Sequence, residues 1–286
     1  MTQIEEDIST SIAAVLVDTS GGVLVDLVST DYESYYSTLT PIPDVEKHVE
    51  NADSEELYGG EFWLVDLHLC EETGALFACD ADGNVHTNAS GTWKIEPVTK
   101  AGLRVIRCFP DGSVFTAGTD GIVYLRERES WTAISESFGQ WITGMDGRSQ
   151  ADLTISGDAG LVAQYIDGEW NIVELPTDIT FNAVLALKDE YLVGGCKGTL
   201  FHGQGGSWKD LTSGDADIHD LVLYQDQIWI ACGTRGVGQL VDGSIEIVRD
   251  TFAAFVLHAA GNYLALAGNN IAMRFDGERY KGRRYG

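Results

Sequence analysis

The sequence predicts an all-β fold, a β-propeller of four-stranded blades, and three observations carry that prediction. Four tryptophans, Trp93, Trp131, Trp170 and Trp208, stand 38, 39 and 38 residues apart. About ten residues before each comes a glycine, Gly83, Gly121, Gly160 and Gly198, in the same register, and Gly236 continues the series after another 38. The chain of 286 residues holds 33 glycines and only 5 prolines, which suits many tight turns between short strands. Four strands in a period of about 40 residues are the signature of a propeller blade.

Each unit resolves into four segments. An apolar first strand comes first, as in Phe62 to Leu69, Leu103 to Phe109, Phe181 to Leu187, Ile218 to Tyr224 and Phe252 to Leu257. A second strand of small residues follows, so that successive blades can approach near the axis. It runs into a G-x-x-G turn, seen at Gly118 to Gly121, Gly157 to Gly160, Gly195 to Gly198 and Gly233 to Gly236. Hairpins between twisted strands need positive φ, which glycine adopts without strain. A third strand such as Ile122 to Leu125 leads to a fourth that begins at the tryptophan, which is expected to wedge between neighbouring blades. A weaker sixth copy is Ala267 to Asn270, followed by Asp276-Gly277-Glu278.

Six repeats therefore cover 61–286. Residues 1–60 read as a hairpin, Ile12 to Val17 and Val23 to Val28 around a turn at Asp18 to Gly22, with Tyr32 to Thr38 as a third strand. Seven blades, with 1–60 a degenerate first blade that closes the ring, is the favoured reading. An N-terminal extension packed on six blades is the alternative. Either way something must cover the junction, because an open ring leaves unpaired edges.

Within these repeats the text Gly195 to Phe201 followed by Gly205-Gly206-Ser207-Trp208 resembles the bacterial Asp-box (BNR-like) and photosystem-assembly-factor class of propeller repeats, as does Gly157 to Val162 followed by Asp167-Gly168-Glu169-Trp170. The box aspartate stands at Asp167, Asp242 and Asp276. The resemblance implies a fold, and implies that the box is a structural turn; activity must come from a site.

No catalytic constellation emerges. The arginine cluster that the resemblance would demand of a sialidase does not recur at one blade position. The six histidines form no H-x-x-x-H or H-E-x-x-H group, and Asp80 to Asn84 resembles a calcium loop but lacks the closing glutamate. Gly-rich stretches are turns, with no phosphate-binding G-x-x-x-x-G-K-[ST]. The reading is of a non-enzyme with no cofactor and no metal. Five scattered cysteines without a C-x-x-C pair suggest buried thiols in a reducing compartment rather than a disulfide frame.

Charge is the strongest functional signal. Against 44 acids stand 18 Lys and Arg, a formal net charge of -26, which argues against nucleic acid and anionic lipid as partners. Acids at Glu5, Glu6 and Asp7 occupy the place of a basic signal-peptide start, and apolar runs such as Phe252 to Ala260 are too short to span a bilayer. A cytoplasmic protein is the expectation. Second-to-third-strand turns and blade-to-blade loops emerge on one face, which gathers Asp80, Asp82, Asp120, Glu136, Asp158, Asp178, Asp215, Asp217, Asp220 and Asp250. Phe138, Trp141 and Phe181 are placed among them as aromatic anchors, so these thirteen residues form the expected partner-binding set. The function read from this is a monomer that binds a basic protein 1:1, most concretely an immunity or inhibitor protein against a cytosol-acting toxin such as a nuclease. A scaffold or assembly chaperone is the alternative, ahead of a carbohydrate-active hydrolase or lyase.

Overall fold

The computed structural model describes residues 8–42 and 55–285. They form seven four-stranded antiparallel sheets, each built from four consecutive strands in simple meander order. The chain is an all-β seven-bladed β-propeller. Blade 1 is built from strands within 9–42 and a short fourth strand, Tyr58–Gly60, which pairs with Ser37 to Leu39. Blades 2 to 7 span 64–97, 103–133, 142–172, 181–210, 220–249 and 256–284.

Cores sit between blades rather than within them. Each of the seven buried apolar clusters draws on two adjacent blades. Between blades 4 and 5, for example, Val162 and Val173 pack with Phe181, Tyr191 and Phe201. Between blades 3 and 4, Val105, Phe109 and Phe115 pack against Ile142, Met145 and Leu153. The ring closes without a shared sheet, since blade 7 is made wholly from the end of the chain. Instead Ile12, Val15 and Val17 pack on Ala260, Ala265 and Ala267. The Ile12 amide donates to Asn269 O at 2.7 Å, and the Val17 amide donates to His258 Nδ1 at 3.2 Å.

The two glycines of each turn have separate physical causes. The first packs backbone to backbone against the start of its own inner strand. A Cβ on Gly157 would sit 1.9 Å from Trp141 O, and one on Gly195 would sit 2.3 Å from Thr180 O. The second has positive φ, +76° at Gly160 and +96° at Gly236, and lies under a carbonyl of the next loop. The tryptophans do bridge blades: the Trp131 indole N–H donates to Glu96 of blade 2, and that of Trp170 to Ile134 O of blade 3. Asp167 and Asp242 take left-handed φ in third-to-fourth-strand turns, and Asp276 Oδ1 accepts the amides of Glu278 and Arg279.

The cysteine reading needs correction. Cys70 and Cys108 form a disulfide that joins the inner strands of blades 2 and 3. They are one repeat apart, 38 residues, so the pairing follows from the repeat and leaves no local motif. Cys79 and Cys232 are buried thiols.

Candidate functional site

The thirteen expected contact residues do not share one environment. Six of the acids, Asp82, Glu136, Asp178, Asp215, Asp217 and Asp250, are exposed on loops of the expected face. Trp141 is 47 % exposed there, with the Arg104 guanidinium 5.2 Å from its ring centroid. Phe138 is half-buried, packed edge-on against Trp170. Asp120 and Asp158 are half-buried and hydrogen-bonded, Asp120 to Thr99 and Tyr124, Asp158 to Thr180.

Three residues depart from the expected surface. Phe181 is fully buried, because alternation along its strand turns it into the core between blades 4 and 5. Asp80 is 2 % exposed and bonds His86 Nε2 at 2.9 Å while accepting the amides of Asp82 and Asn84. Burial would raise its pKa, but those hydrogen bonds outweigh it and hold it below the ordinary value. Asp220 lies inside the ring, on the first strand of blade 6.

That position opens onto the feature the sequence did not disclose. A cavity of about 820 Å³ runs along the propeller axis, lined by the first strands. Asp66, Asp146 and Asp220 face it from blades 2, 4 and 6. Each grips the neighbouring blade in the same way: one carboxylate oxygen accepts the next amide of its own strand, the other an amide of the following blade. The inter-blade donors are Ile106 at 2.9 Å, Ala186 at 2.7 Å and Leu257 at 2.8 Å. His68 repeats the device, its Nδ1 accepting the Cys108 amide at 3.2 Å, and His258 does so at the ring junction.

One guanidinium stands among the three carboxylates. Arg107 pairs with Asp66, and Asp220 and Asp146 lie within electrostatic reach. Burial opposes its charge, but the carboxylates outweigh burial and lift its pKa above the usual value. Arg148 also lines the cavity but is engaged elsewhere, bonded to Asp152, Leu187 O and Gln204. Desolvation pushes Asp146 above the ordinary carboxylate range and Asp220 up to about 6, against the pull of Arg107. Desolvation likewise depresses both imidazoles, His258 to about 4 and His68 well below its usual value, so both are neutral. The channel wall thus sets three acidic side chains, Asp66, Asp146 and Asp220, around one guanidinium, Arg107, which is paired with the first of them.

The cavity opens at the first-to-second-strand turns, where Glu71, Glu72, Pro110 and Lys188 line it; no blade-to-blade loop residue does. Around that mouth Asp18, Glu71, Glu72, Asp111, Asp189, Glu190 and Asp226 are exposed, with Lys188 as the one cation on those turns.

No protein-family model matches the sequence. The chain is 24% identical over 219 residues to Immune protein Tsi7 of Pseudomonas aeruginosa, a match covering 71% of each chain. Among solved structures it is similar to a chain of the mitotic checkpoint complex, with a TM-score of 0.66, 11% identity and coverage of 98% of this chain and 91% of that one. U3-55K gives 0.66 and 11%, with 92% of each chain covered. The WD40 repeats of RRP9 give 0.66 and 12%, with 92% of this chain and 91% of that one covered. At such identities the structural likeness speaks for the fold alone. No helix among the described residues is long and apolar enough to cross a membrane.

Proposed function

We propose that this propeller is a cytoplasmic immunity protein that binds and neutralises a basic toxin in a 1:1 complex. The observation that carries the reading is the one-sided charge: 44 acids against 18 basic residues, with exposed carboxylates on both ends of the ring and two more than Arg107 matches in the channel. An acidic binding surface steers a cationic partner at long range and can raise association rates by roughly 10- to 1,000-fold at low salt. Carboxylates set where substrate phosphates would lie are a direct way to block a nuclease-like cleft. The likeness to Tsi7 supports the same class of function.

Affinity capture from the native source, washed at low and then high salt, tests the proposal. One basic protein should be retained near 1:1, released by salt, and lose its activity at one equivalent of the propeller. Several components of one complex, with no loss of activity in any, would assign a scaffold instead.

A further inference from the structure

We infer that the axial channel is a receptor for the tip of a basic loop of the partner, whose lysine or arginine side chain enters through the Glu71–Glu72 mouth to reach Asp146 and Asp220. The inference rests on the proposed function and names the contact that function would use. Asp66 is matched by Arg107, whereas Asp146 and Asp220 feel Arg107 only through space and make no ion pair of their own. Each accepts two backbone amides, and a carboxylate has lone pairs left for a further donor. Two desolvated carboxylates that no ion pair matches are costly to keep charged, and an incoming cation would offset both.

A second, independent feature suits a peptide rather than a bare ion. His68 and His258 use Nδ1 as an acceptor, which leaves the ring proton on Nε2, and no side chain among the described residues accepts from either Nε2. His68 lies two residues nearer the mouth than Asp66, a rise of ~6.6 Å along a strand. That step matches the length of an extended lysine or arginine side chain. A cation seated between Asp146 and Asp220 therefore places its own backbone carbonyl at the level of the His68 and His258 imidazoles, which line the cavity. Arg107 and Asp66 act on Asp220 across the channel, and Asp146, Arg148, His68 and His258 line the same cavity, with Glu71, Glu72 and Lys188 at its mouth. Asp220 must be ionised to hold a cation, so binding should tighten as pH rises from 5 to 7.

The test uses the full chain and Nα-acetyl-arginine-methylamide and its lysine counterpart as probes, read by calorimetry at low salt and by imidazole NMR of His68 and His258. Acetyl-norleucine-methylamide and putrescine are the comparators. The expected result is saturable binding of a cationic amide but not of the norleucine one, with both imidazole signals shifting. Asp146→Asn with Asp220→Asn should weaken binding at least about tenfold. Should that variant fail to fold, Glu71→Lys with Glu72→Lys decides, because both residues are exposed at the rim; about a two- to fivefold loss is expected. No saturable binding, binding indifferent to the rim variant, or putrescine binding as well as the amides would overturn the inference. A propeller that takes the probes but retains no basic protein refutes the proposed function alone. One whose partner binds the variants undiminished refutes the channel alone.

Discussion

Both ends of the ring carry exposed acids, and the loop face and the channel use their acids differently. On the face of the blade-to-blade loops, acids shape turns and pair locally. Asp80 ties a hairpin to His86, Asp217 caps the Lys197 amide at 2.7 Å, and Asp215 meets Arg235 at 2.6 Å. Inside the channel, acids sit on strands, bind blades together and still leave charge over. A carboxylate on a loop is neutralised or solvated at little cost, whereas one on an inner strand is held where desolvation keeps it reactive toward a cation. The channel end is thus where an added positive charge gains most.

The sharpest way to break this comparison is to truncate one aromatic at a time on the loop face. Phe181→Ala should lose ~3–5 kcal/mol of unfolding free energy in urea, because the ring is fully buried. Trp141→Ala, half exposed, should lose less than ~1 kcal/mol. Equal losses would mean that the inner and outer sides of this face have been misassigned.

Those two residues also show what was legible in the sequence. The repeat announced itself because turn geometry and close backbone approach demand glycine at the same two places in most blades, and these constraints do not depend on the neighbouring sequence. Seven blades followed once the hairpin at Ile12 to Val28 was placed. Burial of Phe181 was not legible, because the first residue of a strand reads like the last residue of a loop. The channel was hidden for a different reason. Asp66, Asp146 and Asp220 stand on alternate blades, 80 and 74 residues apart, so they keep no repeat spacing. Bulges between Leu64 and Asp66 and between Ile142 and Gly144 shift the register that would have aligned them. The alternation that turns them to the lumen, rather than any motif, was the available signal.

A second experiment sharpens the channel side. Desolvation raises the Asp220 carboxyl to about 6 in the folded chain, above its unfolded value, so the folded state keeps a proton that the unfolded state has lost. Its contribution is present below pH ~4 and is lost as pH rises to ~6, a fall of ~3 kcal/mol. Asp220→Asn should therefore gain on the native protein by ~3 kcal/mol between pH 4 and pH 7, measured as the difference between two urea-unfolding pH profiles. Parallel profiles would mean that Asp220 titrates normally and the channel is well solvated.

The smallest expected energy, and the most selective, belongs to surface charge. Glu71→Lys with Glu72→Lys should slow association with a basic partner about three- to tenfold at low salt, and the difference should vanish at high salt. Asp215→Lys with Asp217→Lys should slow it less than twofold, since Arg235 already offsets Asp215 and Asp217 is engaged in capping the Lys197 backbone amide.

The most direct measurement of the central claim is a three-way capture from native lysate with the unaltered propeller, the Glu71/Glu72 reversal and the Asp215/Asp217 reversal as parallel baits at low salt. One basic protein should be retained by the unaltered chain and by the Asp215/Asp217 variant, and depleted on the Glu71/Glu72 variant. Retention by the Glu71/Glu72 variant with loss from the other would contradict it and move the binding face to the opposite end of the ring.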